Sequence, residues 1–323
     1  MYSIEDRYDK YIKVYKGALF EQSSKIEEVY VNSEKSEKNG KVIVFDLDET
    51  IGSFADLYIL WEVIEKYIHI KPNTKIDFNE LLDLYPEFLR HGIINILEFL
   101  YHKKQTNQCS GIFIYTNNQC KIGNGTSIQD SWVSKIVNYL TLKIVPKNEG
   151  SPKYSSPNIV LFDQIIHAFK INNKIVEVKR TTNDKTHKDF IQCTLLPKTT
   201  EICFIDNSFF PSMKKDRIYY IQPRSYTHYL STDDIIDRFM SSTLSKDPGI
   251  ETHLYDHFLL NRRIHSKTAI CENQIEIDIK ISQKMMYYIR EFFYLSLRKM
   301  KTRKIKLKVC KYSRKKNHNP NSV

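Results

Sequence analysis

The stretch from residue 42 to residue 50 reads Val42-Ile43-Val44-Phe45-Asp46-Leu47-Asp48-Glu49-Thr50. Its first four residues are apolar and rich in β-branched side chains, which predicts a strand buried on both faces of a parallel sheet. Asp46 and Asp48 follow where this strand should end, and side chains two residues apart on a strand point the same way. Ligands of open α/β sheets bind outside the carboxyl ends of the strands. We therefore expect both carboxylates to face one pocket.

Two further apolar runs also end in polar side chains. Residues 111–115 precede Thr116, and residues 201–205 precede Asp206 and Asn207. A single run of this kind is typical of any strand that is followed by a polar turn. Three such runs, with helical sequence between them, predict a parallel α/β sheet whose strand ends form one polar site.

The order of these strand ends resembles motifs I, II and IV of the haloacid dehalogenase (HAD) superfamily of phosphoryl-transfer enzymes. The sequence of residues 46–50 resembles the DLDET signature of the CTD-phosphatase (NLI-interacting-factor-like) branch, and the resemblance covers residues 41–244. It implies an α/β fold, namely an HAD-like Rossmannoid parallel sheet with helices on both faces. A small, mostly helical cap insert is expected at residues 51–89, and a C-terminal α+β extension is expected after the phosphatase domain.

The resemblance also implies a role for each polar residue. Asp46 would be the nucleophile that forms an aspartyl phosphate, and Asp48 would be the general acid and then the general base. Mg²⁺ would bind Asp46, the backbone carbonyl of Asp48, and Asp206 or Asn207. Thr116 would donate its hydroxyl proton to a phosphate oxygen.

One lysine should contact both the phosphate and the Asp46 carboxylate. Lys188 is our first choice, because it lies 18 residues before Asp206 in a Lys-Asp-Phe sequence that resembles the Lys-Asp-Leu of the family. Lys185 and Lys179 remain alternatives.

The implied substrate is a phosphoprotein, with phosphoserine or phosphothreonine in an extended peptide such as the tail of RNA polymerase II. One alternative is a polynucleotide 3′-phosphatase, because residues 116–119 resemble the Thr-Asn-Gln of that branch, although Glu49 stands where glycine is usual there. Another is a catalytically weak module that binds nucleic acid. A zinc site is disfavoured, because its candidate ligands do not form paired knuckles. The candidate ligands are His253, His257, His265 and Cys271.

The chain has 323 residues, of which 41% are hydrophobic and 27% charged, as is typical of a soluble globular protein. No apolar run approaches the ~20 residues of a membrane span, and the charged N-terminus does not resemble a signal peptide. The six cysteines lack CxxC spacing, which predicts reduced thiols in a cytoplasmic or nuclear protein. Abundant Lys, Asn, Ile and Tyr are typical of an AT-rich genome, such as that of a large DNA virus or a protist. A viral protein of this kind would be located in the host cell or in the virion.

The net charge of +11 originates at the C-terminus, where residues 298–316 hold eleven Lys or Arg and no acid. Such a run favours contact with nucleic acid or an acidic partner. The expected contact residues are Arg298, Lys299, Lys301, Arg303, Lys304, Lys306, Lys308, Lys311, Arg314, Lys315 and Lys316.

We divide the chain into three parts. Residues 1–40 are an N-terminal segment with an amphipathic helix and a linker, and residues 41–245 are the HAD-like phosphatase domain. Residues 246–323 are an accessory module with a basic tail. In that module, apolar and charged residues alternate at 275–281 and again at 304–309, which predicts a β-α-β arrangement.

Overall fold

The computed structural model describes residues 6–21, 40–118, 131–146, 160–247, 249–263 and 273–315. The strands are β1 (Ile12–Lys16), β2 (Lys41–Phe45), β3 (Gly111–Tyr115), β4 (Gln164–Ile166), β5 (Lys170–Ile171), β6 (Lys174–Ile175), β7 (Glu201–Ile205) and β8 (Ile218–Pro223). Six of them form one sheet in the order β1-β8-β7-β2-β3-β4, and β5 and β6 form a separate hairpin.

The three strands with polar ends are neighbours at the centre of the sheet. Strand β2 pairs in parallel with both β3 and β7, and Phe45 lies opposite Ile114 and Ile205. This register brings the carboxyl ends of the three strands to one edge. The predicted α/β fold with a mostly parallel sheet is confirmed, and β1 is the antiparallel strand at one end.

The helices are α1 (Ala18–Glu21), α2 (Ala55–Ile70), α3 (Phe78–Asp83), α4 (Ile93–Gln105), α5 (Trp132–Ile144), α6 (His187–Thr194), α7 (Thr232–Met240), α8 (Gly249–Arg263) and α9 (Gln274–Lys315). Short 3-10 helices cover Asp6–Tyr11, Pro86–Phe88 and Pro211–Met213. The helical character predicted for residues 51–89 is confirmed by α2 and α3.

Alternating side chains of the strands contribute to two hydrophobic clusters. Ile43 and Ile205 belong to the larger one, which also contains buried residues of every α-helix except α6. Val44 and Tyr115 belong to the smaller one, where Phe190 of α6 covers the sheet. Helices therefore lie on both faces, as expected, but most of the helical mass packs on one of them.

The predicted N-terminal helix is wrong. Residues 12–16 form β1, which pairs with β8 so that Tyr15 lies opposite Tyr220. Edge pairing offers the backbone of this short segment hydrogen bonds that a short isolated helix would secure less well. The predicted linker spans residues 33–40, and of these, residues 33–39 lie outside the described part of the chain.

The predicted β-α-β arrangement of the C-terminal part is also wrong, because residues 274–315 form the single helix α9. Its buried positions include Ile281, Met285, Ile289 and Phe292, which repeat at helical spacing and belong to the larger cluster. Ile275, in the apparently alternating stretch, is exposed. Packing of the apolar stripe against the sheet outweighs the local alternation of side chains.

The predicted partner-binding tail lies mostly outside the described part of the chain. The backbone of α9 continues to Lys315, but the side chains from residue 296 onward lie outside the described part of the chain. Residues 316–323 lie outside it altogether.

Two further findings concern the cysteines and the possibility of a membrane span. Cys109, Cys193 and Cys203 are free and buried, in keeping with the predicted reduced thiols. None of the helices that the structure describes combines the length and the apolar character that a bilayer span needs.

Candidate active site

A buried lysine joins two carboxylates at the carboxyl edge of the sheet. Asp46 follows β2 and Asp206 follows β7, and Lys185 Nζ lies 2.5 Å from Asp46 Oδ1 and 2.6 Å from Asp206 Oδ2. The Lys185 side chain is 2% exposed, the Asp206 side chain 1% and the Asp46 side chain 10%. Asp46 is thus the more accessible of the two carboxylates.

Asp48 lies beside this pair and is partly exposed. Burial raises the pKa of Asp48 to about 6, and the negative charge of Asp46 adds to the rise. A hydrogen bond from Asn118 Nδ2 to Asp48 Oδ2, 2.8 Å long, opposes it. A carboxyl group that titrates near neutral pH can both donate and accept a proton under ordinary conditions.

The cluster has more negative than positive charge. Burial raises the pKa of Asp206 to about 7; Lys185 opposes the rise, and Asp46 adds to it. Three carboxyl groups therefore surround one ammonium group, and two of them have pKa values raised above the usual range. Additional positive charge would favour the ionised form of all three.

The structure places Lys185, and not Lys188, between the carboxylates. Lys188 lies in the first turn of α6 and is exposed, and Lys179 is exposed as well. Our first choice of lysine is therefore wrong as a contact of Asp46, and the alternative Lys185 makes that contact. The helix start explains the difference: the Thr186 hydroxyl caps α6, and the residue before the cap points into the site.

Asn207 is not directed at the carboxylates. Its Oδ1 lies 2.9 Å from Thr50 Oγ1, and its Nδ2 donates to Glu49 Oε2 and Ser225 Oγ. Thr50 Oγ1 also lies 3.3 Å from Asp46 Oδ2. The side chain of Asn207 therefore braces the turn that follows β2, and the structure does not support its predicted role as a metal ligand.

Thr116 lies where predicted, at the end of β3, and is buried. Its Oγ1 accepts a hydrogen bond of 3.0 Å from the backbone N–H of Asn118. That bond uses an oxygen lone pair, so the hydroxyl proton can still be donated to an anion. The same loop thus holds Thr116 and carries Asn118, which contacts Asp48.

Arg180 is a further residue of the site that the sequence analysis missed. It is 2% exposed, and its Nη1 donates to the carbonyl oxygens of Thr116 and His167. Its Nη2 donates to Asn117 Oδ1 and to the carbonyl oxygens of the two residues before Lys185. Arg180 therefore ties the loop after β3 to the loop that carries Lys185.

Arg90 has a similar function on the opposite side of the site. Its Nε donates to the carbonyl oxygen of Thr50 over 2.6 Å, and its Nη2 donates to those of Glu49 and Arg224 over 2.6 and 2.8 Å. Both arginines bind mainly backbone carbonyl groups. Arg180 belongs to no motif that the sequence offers, so its role follows from the structure alone.

The donor atoms of the cluster suit a hard cation. Among the described residues, no three His, Cys, Asp or Glu side chains are arranged to hold a metal ion. Mg²⁺ is commonly bound by one or two carboxylates together with water and other oxygen ligands. Asp46 and Asp206 supply two such carboxylates, and the backbone of Asp48 adjoins them, so this donor set fits Mg²⁺.

The disfavoured zinc candidates are only partly described. The rings of His253 and His257 lie 4.5 Å apart in α8, and His253 Nε2 lies 3.2 Å from the carbonyl oxygen of Val63. His265 and Cys271 lie outside the described residues.

Comparisons with known proteins found no relative. No protein-family model matches the chain, and neither the curated proteins nor the solved structures give a significant match. The interpretation of this site therefore rests on its own geometry and chemistry.

Proposed function

We propose that this protein is a Mg²⁺-dependent phosphatase of the HAD type that works through an aspartyl phosphate. The observation that carries the proposal is the contact of Lys185 with Asp46 and Asp206, beside the neighbouring acid Asp48. A nucleophilic carboxylate, a proton donor and a fixed positive charge are the groups that phosphoryl transfer from a monoester requires.

In the first step, an oxygen of the Asp46 carboxylate attacks phosphorus in line with the leaving oxygen. The bond from phosphorus to the leaving oxygen breaks, and the protonated form of Asp48 gives that oxygen its proton. Asp46 suits this role better than Asp206 because its side chain is more exposed. Lys185 and the hydroxyl of Thr116 stabilise the charge on the transferred phosphoryl group.

In the second step, the carboxylate of Asp48 accepts a proton from a water molecule. The water oxygen attacks phosphorus, and the acyl–phosphate bond breaks. Inorganic phosphate is released, and Asp46 returns to its free carboxylate form. The pKa of about 6 suits Asp48 to both steps, because its two protonation states are then of similar free energy near neutral pH.

Bound Mg²⁺ would neutralise charge on the phosphate and let two anions meet. Asp46, Asp206 and the backbone carbonyl of Asp48 would hold it. The excess of carboxylates over cations in the cluster supports this part of the proposal.

Removal of Mg²⁺ is expected to stop the reaction. EDTA should abolish hydrolysis of 4-nitrophenyl phosphate, and added Mg²⁺ should restore it, because hard oxygen donors favour Mg²⁺ over softer ions. The release of 4-nitrophenolate measures the rate. Full activity in EDTA, or restoration by Zn²⁺ but not by Mg²⁺, would contradict the proposed metal site.

We propose phosphoserine or phosphothreonine in an extended peptide as the substrate, on the strength of the Asp46–Thr50 sequence. The polynucleotide 3′-phosphatase alternative draws support from Asn118, an amide of the predicted Thr-Asn-Gln-like stretch, because it contacts Asp48. Assays of phosphopeptides and 3′-phosphorylated oligonucleotides side by side, compared by kcat/KM, discriminate between the two. We expect the phosphopeptides to give the higher value; a higher value for the oligonucleotides would favour the alternative.

A further inference from the structure

Arg180 holds the loop that carries Lys185. Its Nη2 donates to the carbonyl oxygens of Asn183 and Asp184 over 3.0 and 3.3 Å, and these are the two residues before the lysine. Arg180 is 2% exposed, so water competes little for these bonds. The carbonyl group of Asp184 belongs to the peptide unit that leads into Lys185. Its bond to Arg180 therefore fixes the direction from which the lysine enters the site.

The same guanidinium group holds the loop after β3. Its Nη1 donates to the carbonyl oxygen of Thr116 over 3.1 Å, and its Nη2 donates to Asn117 Oδ1 over 2.8 Å. These two residues directly precede Asn118, whose Nδ2 donates to Asp48 Oδ2 over 2.8 Å. A guanidinium group is planar and its donors have fixed directions. All of these bonds can therefore form together only when the two loops keep one relative position.

Tyr115, the last residue of β3, supports the arginine from the sheet. The Cζ atom of Arg180 lies 4.8 Å from the centre of the Tyr115 ring, an arrangement that stabilises the cation. The Tyr115 hydroxyl oxygen accepts a hydrogen bond of 3.2 Å from the backbone N–H of Thr186. Thr186 directly follows Lys185 and caps α6. The residues on both sides of the lysine are thus fixed, one by Arg180 and the other by its aromatic support.

The backbone beside Arg180 is anchored as well. Asp189 of α6 is buried, and its two carboxylate oxygens accept hydrogen bonds from the backbone N–H and the hydroxyl group of Thr181 over 3.1 and 2.8 Å. Thr181 directly follows Arg180 in the chain. The arginine is therefore held near its backbone and at its guanidinium group, as a rigid support for functional side chains must be.

We propose that Arg180 is a positioning residue of the active site, which places the Lys185 ammonium group and the Asn118 amide with a single guanidinium group. Lys185 contacts Asp46, and Asn118 contacts Asp48. Arg180 would thus orient the surroundings of the nucleophile and of the proton donor together. This inference rests on the proposed phosphatase function.

The test measures the effect of Arg180→Met with and without the two side chains through which Arg180 would act. The kcat for 4-nitrophenyl phosphate is measured in the wild type and in a variant that carries both Lys185→Met and Asn118→Ala. Full-length chains are used, and kcat is normalised to the folded fraction. The matched control is Arg217→Met, because Arg217 Nη1 also donates to a backbone carbonyl group, that of Thr199 over 3.2 Å, at the amino ends of β7 and β8.

An arginine that acts through Lys185 and Asn118 should matter only while these side chains are present. We expect Arg180→Met to lower kcat in the wild type by roughly 10- to 100-fold, the scale of a small misplacement caused from a distance. In the doubly substituted variant the same change should lower kcat by less than about threefold, because substitutions that act through one another are not additive. Arg217→Met should match the wild type.

The opposite pattern would overturn the inference. An arginine that only stabilises the fold would cost the same factor in kcat in both backgrounds, because its effect would then be additive. An unchanged kcat of Arg180→Met in the wild type would contradict the inference equally.

Two further results keep the test decisive. If Arg180→Met fails to fold, Asn117→Ala removes one side-chain acceptor and leaves the arginine in place; a several-fold loss of kcat is expected that disappears in Asn118→Ala, and an equal loss in both backgrounds, or none, overturns the inference. If the wild type shows no turnover that depends on Asp46, the proposed function itself fails, and this inference fails with it. Normal wild-type turnover with additive losses defeats the inference alone.

Discussion

Replacement of Asp46 by asparagine is expected to reduce kcat for 4-nitrophenyl phosphate by roughly 10⁴- to 10⁶-fold, the range found when a catalytic nucleophile or its partner is removed. An amide nitrogen or oxygen cannot form the aspartyl phosphate that splits the reaction into two steps. The fold should persist, because asparagine keeps the shape of the side chain and Lys185 retains its contact with Asp206. Single-turnover and steady-state release of 4-nitrophenolate measure the loss.

The matched control is Asp216→Asn, an exposed aspartate outside the site, which should leave kcat unchanged. A circular dichroism spectrum and a thermal unfolding curve for each variant show whether both are folded. Residual activity of folded Asp46→Asn within tenfold of the wild type would exclude Asp46 as the nucleophile.

Lys185→Met and Lys188→Met should separate the two candidate lysines. Loss of Lys185 removes the cation that touches both carboxylates, so kcat should fall by about 10²- to 10³-fold, the scale for one lost electrostatic donor. The free energy of unfolding should fall by about 3–5 kcal/mol, as when one partner of a buried ion pair is deleted. Lys188 is exposed, and Lys188→Met should change the free energy of unfolding by less than about 0.5 kcal/mol.

Chemical denaturation gives the unfolding free energies, and kcat is normalised to the folded fraction. An inactive Lys188→Met together with an active Lys185→Met would reverse our assignment. The comparison also tests how the start of α6 orders the site, because the two lysines lie on either side of its N-cap Thr186.

The strands that build the site could be predicted from sequence because each carries its own signal. The runs at residues 42–45, 111–115 and 201–205 are short, apolar and followed by polar side chains, and all three are strands. Asp46, Thr116 and Asp206 lie at their ends, because a strand that is buried on both faces has little room for polar side chains before its end. Periodicity and strand-end chemistry therefore located most of the candidate site.

The lysine that contacts Asp46 was harder to predict, because its orientation depends on where α6 begins. A family-like Lys-Asp pair favoured Lys188, but Thr186 followed three residues later by Asp189 is the pattern of an N-terminal cap. Thr186 Oγ1 accepts the backbone N–H of Asp189, so α6 starts at His187 and Lys188 turns outward. The capping signal was present in the sequence and would have favoured Lys185.

The ends of the chain could not be predicted in the same way, because their structure is decided by distant contacts. Residues 12–16 become a strand because β8 offers a free edge, and α9 forms although isoleucines alternate at its start. Lys16 and Tyr219 both bind Glu291 of α9, over 2.8 Å in the case of Lys16. Contacts between residues more than 70 positions apart leave no local pattern.

The most direct test of the account is a search for phosphate bound to Asp46. Wild-type protein is mixed with a ³²P-labelled phosphomonoester and Mg²⁺, quenched in acid during turnover, digested and mapped by mass spectrometry. We predict a label that hydroxylamine removes, as expected of an acyl phosphate, on the peptide that contains Asp46, and no label in Asp46→Asn. Turnover without any labelled protein, or a stable label on another residue, would contradict the proposed mechanism.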